Sequence, residues 1–134
     1  MENVIAAKSY AFAIRIINLY KFLNTEKKEF VLSKQVLKSG TAIGALVREA
    51  EHAQSKADFL NKMNIALKEA NETEYWLMLL KDTGYIQQAE FDSIIKDCEE
   101  VLKLLVSIVK STKTSLKNNC QLSTFNYPLM HEAV

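Results

Sequence analysis

The sequence predicts an all-α protein, an up-down-up-down antiparallel four-helix bundle. Three observations lead there. Only three Gly and one Pro occur in 134 residues, of which 49% are hydrophobic, too few turn residues for a many-stranded sheet. Apolar residues recur at alternating steps of three and four through four long stretches with short interruptions, the spacing of a helix face. The most regular stretch, from Phe59 to Leu80, puts Phe59, Met63, Ala66, Ala70, Thr73, Leu77 and Leu80 in one seam around which the rest is read.

The first helix is expected over Val4 to Leu23. Ile5, Phe12, Ile16, Leu19 and Leu23 form one apolar row and Ala6, Tyr10, Ala13, Ile17 and Tyr20 another, which predicts a wide buried face. The second helix is read from about Glu26 to His52, with Asn24 or Thr25 as its cap and Glu26 and Glu29 at its positive end. It carries Gly40 and Gly44 one turn apart. Each costs about 1 kcal/mol in a helix interior relative to Ala, so a close approach of another backbone or of a bulky side chain such as Trp76 is expected to offset it. A phosphate-cradling loop is a poor reading, because no strand precedes these glycines and no Gly-Lys-Ser/Thr follows them.

The third helix is expected to start near Ser55, with Asp58 completing a capping box, and to stop at Gly84 in a left-handed cap. Beside its seam runs a second row, Ile65, Glu69, Glu72, Trp76 and Leu79, which sets two carboxylates among large apolar neighbours. Tyr75 to Leu80 is apolar all round, more than one core can cover, and predicts a second contact surface and hence a homo-oligomer. The fourth helix is read from about Gln88 to Leu116 on a seam including Phe91, Ile95, Cys98, Leu102, Leu105 and Val109. One domain, residues 1–117, is expected, followed by a flexible C-terminal tail, residues 118–134, containing Pro128.

Net charge is +1, without the strong basicity of a dedicated nucleic-acid binder, so such binding requires a local patch. Residues 1–53 carry eight Lys/Arg against five Asp/Glu, which places the basic excess in the first half. Cys98 and Cys120 have no disulfide or metal spacing, which favours a reducing compartment. No secretory leader and no apolar run long enough to span a membrane is read, so the cytoplasm is the expected location.

The bundle invites a carboxylate-bridged di-metal centre, which takes a Glu-x-x-His from each of two helices. Only Glu49 with His52 fits; His131 has Pro128 where its glutamate belongs, so neither metal nor cofactor is expected. Glu69, Glu72 and Glu74 have no histidine or oxyanion donor nearby for acid–base catalysis, and the expected role is an ion pair or hydrogen bond to Arg48, a lysine or a tyrosine across a helix or subunit boundary. A nucleic-acid surface is the remaining chemistry. Lys27, Lys34, Lys38 and Arg48 are read on one face of the second helix, with Arg15 available from the first, a row that follows phosphates without reading bases. Oligomerisation would repeat the row and add avidity. Oligomer contact and packing are assigned to Gly40, Gly44, Glu69, Glu72, Tyr75 and Trp76.

Two motifs, Ser39-Gly40-Thr41-Ala42-Ile43-Gly44-Ala45-Leu46-Val47-Arg48-Glu49-Ala50 and Ile65-Ala66-Leu67-Lys68-Glu69-Ala70-Asn71-Glu72-Thr73-Glu74-Tyr75-Trp76-Leu77, the second preceded by Asp58-Phe59, resemble the 23S rRNA intervening-sequence protein family of bacteria. The resemblance runs from about Tyr10 to the end of the fourth helix. It implies a four-helix bundle assembled into a ring, a pentamer, with no established enzymatic activity. Family relatives in diversity-generating retroelements form basic rings that work with a reverse transcriptase and nucleic acid. This chain departs from them in its near-neutral charge, and Leu46 stands where the family often has Asn. The expected function is a non-enzymatic nucleic-acid or ribonucleoprotein scaffold, partnered by itself and by RNA, DNA or a nucleic-acid-processing protein. The alternative is a protein-only interaction module.

Overall fold

A computed structural model describes the backbone of residues 3–126 and the side chains of residues 4–119. Four helices follow one another: α1 Asn3–Thr25, α2 Leu32–Glu51, α3 Lys56–Asp82 and α4 Gln88–Asn126. Each packs on its neighbour in the chain, while α1 and α4 close the square along a thinner contact. The diagonal pairs make no close backbone approach among the described residues, so the α1–α4 seam and the α2–α3 seam lie on opposite sides of the molecule. This is the up-down-up-down bundle that the heptad-like spacing predicts.

The third helix follows its expected pattern closely. Ser55 Oγ accepts the Asp58 backbone N–H at 3.0 Å and caps the start; Gly84, with φ +86°, turns the chain at the end. Met63, Ala66, Ala70, Thr73, Leu77 and Leu80 are all buried. The single polar member, Thr73, places its hydroxyl oxygen 2.8 Å from Ser39 Oγ of α2 and 2.8 Å from the Glu69 carbonyl, so its burial is compensated.

The second helix begins six residues later than the periodicity indicates, at Leu32 instead of Glu26. Lys28 takes φ +54°, which stops helix propagation, and the chain turns there. Asn24 and Thr25 do not cap α2. Their side chains donate back to the carbonyls of Tyr20 and Lys21 at the end of α1, both at 2.8 Å. The α2 start is instead held by Glu29, whose carboxylate accepts the N–H groups of Val31, Leu32 and Ser33 at 3.2, 2.8 and 2.7 Å. Charge and hydrogen bonding act together there, because the orphan donors and the positive helix end both favour a carboxylate.

Gly40 and Gly44 set the α1–α2 spacing. A Cβ on Gly40 would lie 2.7 Å from Ile16 Cγ1, so the close neighbour is Ile16 and not Trp76. At Gly44 the backbone of Ser9 passes at ordinary contact distance, 3.5 Å to its carbonyl oxygen. The wide buried face expected of α1 is only half realised. Ile5, Phe12, Ile16 and Leu23 are buried, whereas Tyr10 and Ile17 of the second row face outward with Val4 and Ile14.

The fourth helix continues past Leu116 to Asn126, so residues 118–126 of the segment read as tail are helical. No Gly or Pro interrupts residues 117–126, which leaves the helix free to run on past Leu116. The other tail residues, 127–134, lie outside the described residues, and with them His131.

Candidate functional site

The basic row begins with α2. The step from Gly40 to Gly44 turns one face to α1, and Ser39 and Glu49 border α3 through Thr73 and through the Glu49–Lys62 ion pair at 3.4 Å. The side pointing away from the core then carries Lys34, Lys38, Ala45 and Arg48, all exposed. No ion pair engages Lys34, Lys38 or Arg48 among the described residues. Lys27 does not share this helix face. It lies in the turn before α2, with its ammonium 5.8 Å from the centre of the Phe22 ring.

Arg15 is placed elsewhere. On the α1–α4 seam its guanidinium donates to Asp97 at 2.8 Å and to the carbonyl and hydroxyl of Ser93 at 3.2 and 3.0 Å. Lys8 and Glu100 pair across the same seam at 2.9 Å. The structure therefore brings Lys34, Lys38 and Arg48 together and separates Lys27 and Arg15 from them. On its α1 side the row borders a small groove of about 210 Å³, where Arg48 and Thr41 face Tyr10, 63% exposed.

On its α3 side the row meets carboxylates. Burial raises the pKa of Glu69, the neighbouring Glu72 raises it further, and Lys38 and Lys68 pull it down. Within one chain, Glu69, Glu72 and Glu74 form no ion pair among the described residues. Beyond them Trp76 is half-buried, with Tyr75 edge-on at 5.2 Å between ring centres, and its indole N–H is buried without an acceptor. Tyr75 and Met78 remain exposed while Leu77 and Leu80 fill the core.

The acid–base inventory is thin. Glu49 pairs with Lys62, and His52 stands exposed at the α2 C-terminus. Among the described residues no three His, Cys, Asp or Glu side chains gather to hold a metal ion, and no helix is long and apolar enough to cross a membrane. Cys98 is buried in the seam, its thiol pushed up to about 12 by burial, with Glu74 and Glu99 adding to the shift, so it is held as the neutral thiol.

Sequence reasoning missed two features. The first is a groove of about 490 Å³ between α1 and α4, floored by Leu19, Phe22, Ile86 and Ile94. The second is the turn before α2, where Phe30 and Val31 stand 51% and 70% exposed. Their adjacency is visible in the sequence, but a helix read from Glu26 includes both.

No functionally curated protein matches the chain. A solved structure from Bacteroides thetaiotaomicron, a protein of unknown function from the S23 ribosomal protein family, is similar at 64% identity, covering 81% of this chain and 97% of that one with a TM-score of 0.80. The family profile of the 23S rRNA-intervening sequence protein matches residues 1–107. With that match spanning most of the bundle, this chain belongs to the 23S rRNA-intervening sequence protein family.

Proposed function

We propose that this chain is a non-enzymatic, homo-oligomeric bundle of the bacterial cytoplasm whose repeated basic faces hold nucleic acid or a ribonucleoprotein. The observation that carries the reading is the set Lys34, Lys38 and Arg48, exposed on one outward face and free of ion pairs among the described residues. Three cations per subunit are a weak phosphate contact alone. Repeated around an oligomer, for which a ring of five is the expected size, they sum to useful avidity. The outward apolar side chains of α1 and α3 supply surface for the oligomer to cover.

The test is binding of labelled single-stranded RNA across a salt series. The wild-type protein is expected to bind at low salt with affinity falling steeply as salt rises. Reversing Lys34, Lys38 and Arg48 to Glu should keep the fold and flatten the log–log salt slope by about 2 per subunit engaged, from roughly 0.7 for each phosphate lost. Unchanged binding in the triple variant would move the site away from α2.

A protein-only interaction module is favoured by a different observation. Glu69 is flanked by Glu72 on the α3 border of the row, and such carboxylates weaken the field felt by a phosphate, while Tyr75 and Met78 offer apolar contact beside them. Absence of RNA binding at low salt, with the oligomer intact, selects this second reading.

A further inference from the structure

The basic row of α2 is interrupted where the molecule opens. Lys34 and Lys38 are one turn apart, but about 15 Å of helix separates Lys38 from Arg48, and between them the same side carries Thr41 and Ala45. A phosphate chain following the row therefore crosses a stretch with no cation of α2 beneath it. Beside that stretch the α1–α2 groove opens, with Thr41, Ala45 and Arg48 on its α2 wall and Tyr10 on its α1 wall.

Tyr10 sets the chemistry of this gap. Of the outward apolar side chains of α1, which are Val4, Tyr10, Ile14 and Ile17, it alone lines the groove, and it is 63% exposed. The residues around it are small, Ala6 and Ala13 on α1 and Gly44 and Ala45 on α2, so a flat group can lie against the ring. At about 210 Å³ the space is below the roughly 300–1,000 Å³ of sites that enclose a whole ligand, and it suits one planar group carried by a longer chain. Arg48 lines the same groove and takes part in no ion pair among the described residues, so a phosphate attached to that group meets a cation. Glu51 lines the end away from Lys38, where its carboxylate and the negative terminus of α2 both repel phosphate and direct the chain back along the row.

We propose that the α1–α2 groove takes one unpaired nucleobase of a single strand, stacked on the Tyr10 ring, while the strand's phosphates reach Arg48 beside the base and Lys38 further along. An aromatic ring set in a cationic track holds single strands without reading their sequence, because every base has a π face. A base within a duplex must first leave its stack, which opposes the contact, so a duplex is left with the cations alone. This inference rests on the nucleic-acid reading above and narrows it to a single-stranded partner, with Tyr10 as the residue that discriminates.

The test measures binding of an unstructured, labelled single-stranded RNA and of a duplex RNA of the same length to the full chain across a salt series, with the light-scattering mass of each variant recorded. Tyr10→Ala is expected to weaken single-strand binding by at least about fivefold, the low end for loss of one stacked base, and to leave the duplex affinity, the salt slope and the mass as in wild type. Tyr10→Phe keeps the ring and should bind as wild type does. Single-strand binding unchanged in Tyr10→Ala, or weakened equally on the duplex, would overturn the stacking while leaving the phosphate contacts of the row. A lower mass for Tyr10→Ala would also overturn it, since the ring would then be packing against a second copy. Wild-type protein that binds neither RNA at low salt would remove the nucleic-acid reading and this inference with it.

Discussion

Gly40 and Gly44 share a motif and a helix, yet the α1 neighbour treats them differently. A methyl at Gly40 collides with Ile16, a β-branched side chain that is itself fully buried and has little room to turn. Gly40→Ala is expected to destabilise by about 1–3 kcal/mol in chemical denaturation. Gly44→Ala meets Ser9 only at van der Waals distance, so its helix-propensity gain of about 0.5–1 kcal/mol should survive. Equal losses at both positions would contradict this assignment of the α1–α2 contact. Glu69 is a second residue whose environment sets a measurable sign. Its raised pKa means that the folded state binds the proton more tightly than the unfolded chain, so folding loses stability as pH climbs through the ordinary carboxylate range and the group ionises. Glu69→Gln should therefore raise the melting temperature at pH 7, with the difference vanishing below that range; a variant less stable than wild type at pH 7 would show that the carboxylate is favourably paired.

At the scale of elements, stability turns on how each helix starts and on which face it covers. Glu29 satisfies three backbone donors at the start of α2, those of Val31, Leu32 and Ser33, from a nearly buried position, so Glu29→Ala is expected to cost about 2 kcal/mol, within the range of lost caps and of hydrogen bonds to charged groups. A change of a few tenths would mean that water replaces the carboxylate. Trp76, which the sequence assigns to packing and oligomer contact, is half-buried and its indole N–H lacks an acceptor. Trp76→Phe removes that unsatisfied donor and should be tolerated to within about 1 kcal/mol, while Trp76→Ala loses the ring's packing and should cost less than the ~3–5 kcal/mol of a fully buried aromatic. The α3 seam and its caps were legible in the sequence because propensity, periodicity and capping all agree there. The start of α2 was not, because Glu26, Lys27 and Glu29 are good helix formers and the left-handed Lys28 carries no glycine to announce it. The outward turn of Tyr10 and Ile17 was hidden for a different reason. Periodicity reports that a row is apolar, and only packing decides whether the chain's own helices cover it.

For the whole molecule, the exposed apolar groups on α1, on the turn before α2 and on α3 lie outside a core that is already complete without them. Val4, Tyr10, Ile14, Phe30, Val31, Tyr75 and Met78 are each about half exposed or more, which is surface that association would remove from water. The candidate nucleic-acid surface was only partly legible. Lys34, Lys38 and Arg48 emerge together because helical spacing places them; Arg15 leaves the set because a contact distant in sequence, with Asp97 and Ser93, claims its guanidinium. The basic row gains purpose only through repetition, so assembly is the claim on which the functional reading depends. Molar mass in solution by light scattering at micromolar concentration tests it most directly. A multiple of the 15.2 kDa chain, stable to dilution, is the predicted result, and a particle of one chain at that concentration would contradict the account.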